Sequence, residues 1–144
     1  MSMNEWVAAD TSTHQDHVIA HVIGSSVLGY FVLDETLHIL LDIGFIWTIY
    51  LDGQMVLLPE TAAIGDLELD SVAKMQLRHE IELVEQYGRL AEGLELLRPS
   101  PVECVISEVS FFACGEHRKL VLVGEAASIT IVTSLNTGEI EVRV

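Results

Sequence analysis

Histidines at positions 14, 17 and 21, with Asp16 among them, fall within the run THQDHVIAHVIG, residues 13 to 24. Imidazole and carboxylate groups ligate transition metals, and imidazole also moves protons near neutral pH. Spacing decides which chemistry is open. Two ligating rings must converge on one ion at about 2.0–2.1 Å. Positions i and i+4 of a helix bring Cβ atoms to about 5–6 Å, whereas on a strand they lie roughly 13 Å apart. The β-branched Val18, Ile19, Val22 and Ile23 argue for a strand. On that reading His17 and His21 point the same way but cannot grip one ion. His14, Asp16 and His17 remain as the only metal candidates, by convergence in the preceding loop. A metal site is therefore not favoured, and no cofactor is expected.

Other chemical signatures are missing. There is no G-x-S-x-G elbow and no Gly-rich loop opening a helix after a strand, so no catalytic residue is assigned. RHEIE, 78 to 82, lacks the second histidine of the helical zinc-protease pattern, which leaves His79 as a helix-surface residue. His117, in CGEHRK, reads as part of a solvated turn.

Charge narrows the partners. Against 7 Lys and Arg stand 22 Asp and Glu, a formal net charge of -15, so phosphate backbones and anionic lipid surfaces are repelled. Neither nucleic acid nor membrane is an expected partner. The hydrophobic zone 18 to 51 is broken by Asp34, Glu35, His38 and Asp42, and no uncharged run reaches the roughly 20 residues of a span. MSMNEWVAAD lacks a basic n-region, and two cysteines, Cys104 and Cys114, make no disulfide framework. A cytoplasmic protein is expected.

The elements that must position these residues follow from periodicity. From His17 to Leu58, dense β-branched and aromatic residues broken by GSS, DE, DIG and DG predict a meander of about five strands. Asp52-Gly53 suits a two-residue hairpin pairing Ile49 with Val56 and Trp47 with Leu58. Apolar spacing then predicts one long helix from about Asp70 to Leu97, capped by Asp70 or Ser71, with a bend near Gly88 unsurprising. About four more strands follow, at 102 to 113, 118 to 124, 127 to 135 and 139 to 144, with NTG at 136 to 138 as a hairpin. The expectation is one α+β domain over 1–144, with 1–16 loosely ordered.

Alternation sorts the meander into two faces. One collects Leu28, Tyr30, Val32, Leu37, Ile39, Leu41, Trp47 and Ile49 with Val56 and Leu58; it is nearly all apolar and is expected to take the long helix. The other carries His17, His21, Phe31, His38, Thr48, Tyr50, Met55 and Leu57, with His38 directly opposite Thr48. The plain expectation for that face is cover by the C-terminal strands, leaving satisfied histidines. The functional reading is a non-enzymatic, small, acidic interaction or binding module that engages a partner protein or self-associates, a homodimer being one form. The alternative is a small-molecule-binding or hydrolase-like pocket lined by His21, Phe31, His38, Thr48 and Tyr50, with histidine as acid or base.

Overall fold

TLHILL and FIWTIY are too continuously apolar for strands with a wet face, and their burial explains why. In the computed structural model, which describes residues 5–144, β3 (Thr36–Leu41) and β4 (Phe45–Tyr50) are almost wholly buried. They lie at the middle of an antiparallel sheet completed by β5 (Met55–Pro59), β2 (Val27–Leu33) and β6 (Arg98–Pro99), in the order β5-β4-β3-β2-β6. A second antiparallel sheet has the order β1-β7-β8-β9-β10, from β1 (Val7–Ala8), β7 (Ile106–Cys114), β8 (His117–Gly124), β9 (Ile129–Ser134) and β10 (Ile140–Arg143). The class is α+β.

Three layers result. Leu37, Ile39, Leu41, Trp47 and Ile49 of the first sheet pack against Leu120, Leu122, Ile129 and Ile131 of the second. Phe31, Leu40 and Ile46, on the first sheet's other face, pack against α2 (Glu60–Gly65) and α3 (Ser71–Tyr87) through Ala63, Ile64, Leu77, Ile81 and Val84. The covers are thus the reverse of those expected: the C-terminal strands take the wholly apolar face and the helices take the face carrying His38. Both faces are apolar enough to be core, so alternation alone could not assign the layers.

Four local features depart from expectation, each for a visible reason. Residues 17 to 23 are not a strand: α1 spans Thr13–Val22. A capping box starts it, with the Ser12 hydroxyl accepting from Gln15 N–H at 3.1 Å and Gln15 Oε1 accepting from Ser12 N–H at 2.8 Å. Val18 and Val22 then enter the core between the sheets, and this packing outweighs β-branched propensity. Of the expected loose segment 1–16, residues 1–4 lie outside the described residues; 5–16 contain β1 and the first turn of α1.

The β4–β5 turn is longer than two residues. Tyr50 N–H donates to Gln54 C=O at 2.8 Å, Gly53 N–H to Tyr50 C=O at 2.9 Å, and Gln54 N–H to Asp52 Oδ1 at 2.9 Å. Ile49 therefore pairs with Met55 and Trp47 with Leu57 rather than with Val56 and Leu58. A one-residue slip turns the whole strand over, which sends Met55 and Leu57 between the sheets and Leu58 beneath the helices. In β2 a bulge between Val27 and Gly29 has the same effect on Leu28, which joins the helical side while Tyr30 stays between the sheets.

The long helix stops at Tyr87, well short of Leu97. Gly88 takes φ +59 and a short 3-10 turn, Gly88–Leu90, follows. The expected Asp70 cap is present, its Oδ1 accepting from Ala73 N–H at 2.8 Å. The Asp34-Glu35 turn, with φ of 49 and 59, and the His38–Thr48 pairing also stand as expected. Cys104 and Cys114 are not joined by a disulfide.

Candidate functional site

Positions 14, 17 and 21 fall on one stripe of α1, because 3.6 residues per turn returns i+3, i+4 and i+7 to nearly the same bearing. Asp16 lies about 100° round the helix from His17 and accepts a hydrogen bond from the Thr11 hydroxyl. Beside the histidine stripe, Gln15, Val18 and Val22 are buried. Gln15 Nε2 donates to Gly53 C=O at 2.8 Å, and His14 Nε2 lies 2.9 Å from Met55 C=O. The helix thereby meets the start of the β5 edge, where His14 engages the outward C=O of Met55 that a neighbouring strand would otherwise take.

The three rings line a hollow of about 460 Å³ whose other walls are Val18, Ile43, Phe45, Val56 and Leu57. His14, His17 and His21 are exposed. His17 and His21 make no hydrogen bond or ion pair among the described residues. Sequence reasoning brought these histidines together on the wrong element. The missed signals were the Ser12-x-x-Gln15 capping pattern and the 14/17/21 spacing itself; the strand-borne walls, Phe45 and Leu57, carry no local mark of a hollow.

The five residues assigned to one sheet face divide into three places. Phe31, His38 and Thr48 stand together and buried beneath the helical layer. Phe31 and His38 stack with centroids 4.6 Å apart and planes 16° from parallel, and His38 Nδ1 shares a hydrogen bond of 2.9 Å with Thr48 Oγ1. Burial pushes the His38 imidazole down to about 4, so it is neutral at pH 7 and has one ring nitrogen already engaged. Tyr50 is 43% exposed, at the end of β4. His21 is not on the sheet at all. A single pocket holding all five does not form.

The second surface with an unmet bonding capacity is a sheet edge. The β5 edge is engaged by α1 at Met55, β1 is a two-residue strand, and β6 is Arg98-Pro99, whose proline has no N–H. β10 is longer and ends its sheet. Ser134 N–H donates to Glu139 C=O at 3.0 Å, and the register runs Ile140 to Thr133 and Glu141 to Val132. Antiparallel alternation then turns the backbone groups of Glu141 and Arg143 toward β9 and those of Ile140, Val142 and Val144 outward. Glu141 and Arg143 form an exposed ion pair at 2.7 Å. Alongside lies an open cleft of mixed character, lined by Tyr30, Val32, Leu96 and Val142 together with Glu95 and Arg98. The alternation of 139–144 was legible in the sequence; that this strand ends a sheet was not.

Among the described residues no helix is long and apolar enough to cross a membrane. Comparison with known protein families, curated proteins and solved structures returns no match to this chain.

Proposed function

We propose that this protein is a non-enzymatic interaction module that recognises a second copy of itself through the β10 edge. One observation carries the reading: the edge is complementary to itself. With two β10 strands antiparallel about a two-fold axis at Val142, the outward N–H and C=O groups of the two Val142 residues face each other and can exchange both bonds. In that register Glu141 stands opposite Arg143 of the second copy, Arg143 opposite its Glu141, and Ile140 opposite its Val144. Val144 is 74% exposed, and in the pair it lies beside Ile140 at the rim of the cleft, whose lining mixes Val32, Leu96 and Val142 with Glu95 and Arg98.

Exposed Glu–Arg pairs add little affinity, but like charges placed opposite one another on adjacent strands repel, so the pairs select the register. Long-range charge acts the other way. Each copy carries -15, so association tightens as salt rises toward 0.15 M, where the Debye length is about 8 Å. A basic protein partner would show the opposite salt dependence. Catalysis by His38 is no part of this proposal, since the ring is buried and neutral at pH 7. A reducing cytoplasmic setting belongs to it, in keeping with a buried thiol at Cys104 whose burial pushes its pKa up.

Analytical ultracentrifugation across a concentration series tests the reading. A reversible dimer is expected, weakened about tenfold by Glu141→Arg or by Arg143→Glu, since each places two like-charge pairs across the two-fold. The double variant carrying both changes restores the pairing. A monomer at every concentration and salt, or a dimer indifferent to the single changes, overturns it.

A further inference from the structure

We infer that His17 and His21 bind a divalent transition-metal ion, of the zinc, copper or nickel class, at the mouth of the hollow beside α1. The inference is independent of self-association and rests on four observations.

The first is spacing on the element now known to be helical. His17 and His21 are i and i+4 on α1, where Cβ atoms lie about 5–6 Å apart and two ring nitrogens can approach one ion from the same side at about 2.0–2.1 Å. The second is availability. Both rings are exposed and neither makes a hydrogen bond or ion pair among the described residues, so each neutral imidazole keeps a lone pair for a metal. The third is His14. Its Nε2 is engaged with Met55 C=O, and no three His, Cys, Asp or Glu side chains among the described residues group so as to hold a metal. The site is therefore two-coordinate in protein ligands, with water completing the shell.

The fourth observation decides between ligand chemistries. A hollow with imidazoles above Phe45, Val56 and Leu57 also resembles a seat for an apolar carboxylate. The formal net charge of -15 repels such an anion and concentrates cations around the chain, which favours the metal. Imidazole nitrogen selects copper, nickel and zinc over calcium and magnesium, which prefer oxygen. Asp16 is no ligand here: it lies on another side of α1 and is bonded to Thr11.

The test uses the full chain, stripped with chelator and titrated calorimetrically with Zn(II) and with Cu(II) near pH 7. One saturable site per chain is expected, tighter for copper than for zinc, and undisturbed by excess Mg(II). Removing either ligand, in His17→Gln or His21→Gln, should weaken zinc binding by at least about tenfold, whereas His14→Gln should leave it unchanged. All three side chains are exposed, and far-UV circular dichroism checks that the variants fold. Imidazole ¹⁵N spectra of the unaltered protein read the same site without mutation: zinc should shift the ring nitrogens of His17 and His21 and of no other histidine. Absence of saturable zinc binding, binding that survives the His17→Gln/His21→Gln pair, or ring shifts located on other histidines overturns the inference.

Discussion

Leu97 and Glu80 are joined across 17 residues of chain, the Leu97 N–H donating to Glu80 Oε1 at 2.9 Å. The same oxygen accepts from the N–H groups of Glu95 and Leu96 at 2.8 Å each, and Oε2 accepts from the Gln76 side-chain amide at 2.8 Å. Glu80 is fully buried. One carboxylate on α3 thus holds the irregular segment before β6 and seats Leu97 beside Leu77 and Ile81.

Removing that carboxylate leaves the buried Leu97 N–H and the part-buried Glu95 and Leu96 N–H groups without their acceptor, and a buried donor left unmet costs about 1–3 kcal/mol, less where water can reach it. Glu80→Ala should therefore destabilise the fold by about 3 kcal/mol. Glu80→Gln, which keeps one carbonyl oxygen, should cost less. Desolvation pushes the Glu80 carboxyl up, but the Leu97 N–H, the Gln76 amide and the Leu96 and Glu95 N–H groups outweigh it and hold the group below its usual 4.5. As pH falls the unfolded chain takes the proton first, so this stabilisation is complete above about 4.5 and lost as pH drops through the lower folded value. Urea unfolding at a series of pH values checks both statements. A Glu80→Ala variant as stable as the parent at pH 7 would contradict them.

His38 carries the complementary acid sensitivity over a higher window. Its pKa is 6.5 when free and about 4 in the fold, because the ring lies buried and stacked on Phe31, out of water, where carrying a charge is costly. Between those values the unfolded chain binds a proton that the folded chain does not. Stability should accordingly fall as pH is lowered from 6.5 toward 4, by roughly 2–3 kcal/mol in all. His38→Leu should flatten that slope. Proton NMR of the ring gives the direct check, and a His38 titration centred near 6.5 would refute the assignment.

Gly53 allows the β4–β5 turn to close on the second sheet. Its φ is +91, and a Cβ there would lie 2.3 Å from Cζ of Phe111. Gly53→Ala should cost about 2 kcal/mol or more, part from the backbone and part from the clash. Shortening the ring in Phe111→Leu should relieve only the second part, so the two changes together should cost less than their sum. Thermal unfolding of the two single variants and the pair measures the coupling; strict additivity would show that the ring is not the obstacle.

Much of this architecture was legible residue by residue. Composition and periodicity marked an acidic α+β chain, the β2–β3 turn at Asp34-Glu35, the Asp70 cap and the pairing of His38 with Thr48, because each depends on neighbours close in sequence. The surfaces were not legible in the same way. His14, His17 and His21 advertise their chemistry in any register, but only as a helix do they share a stripe, and Val18 and Val22 become helical because the gap between two sheets accepts them.

What the sequence determined by itself was the inventory: which side chains ligate, which carry charge, and which segments must be buried. The tertiary structure decided which buried face meets which layer, since both faces of β3 and β4 are apolar and only packing distinguishes them. It also decided the β5 register, which one extra residue in the turn moves by a residue. Finally, it decided which strand ends a sheet, because an unpaired edge belongs to the order of strands in space and leaves no mark on the residues of β10.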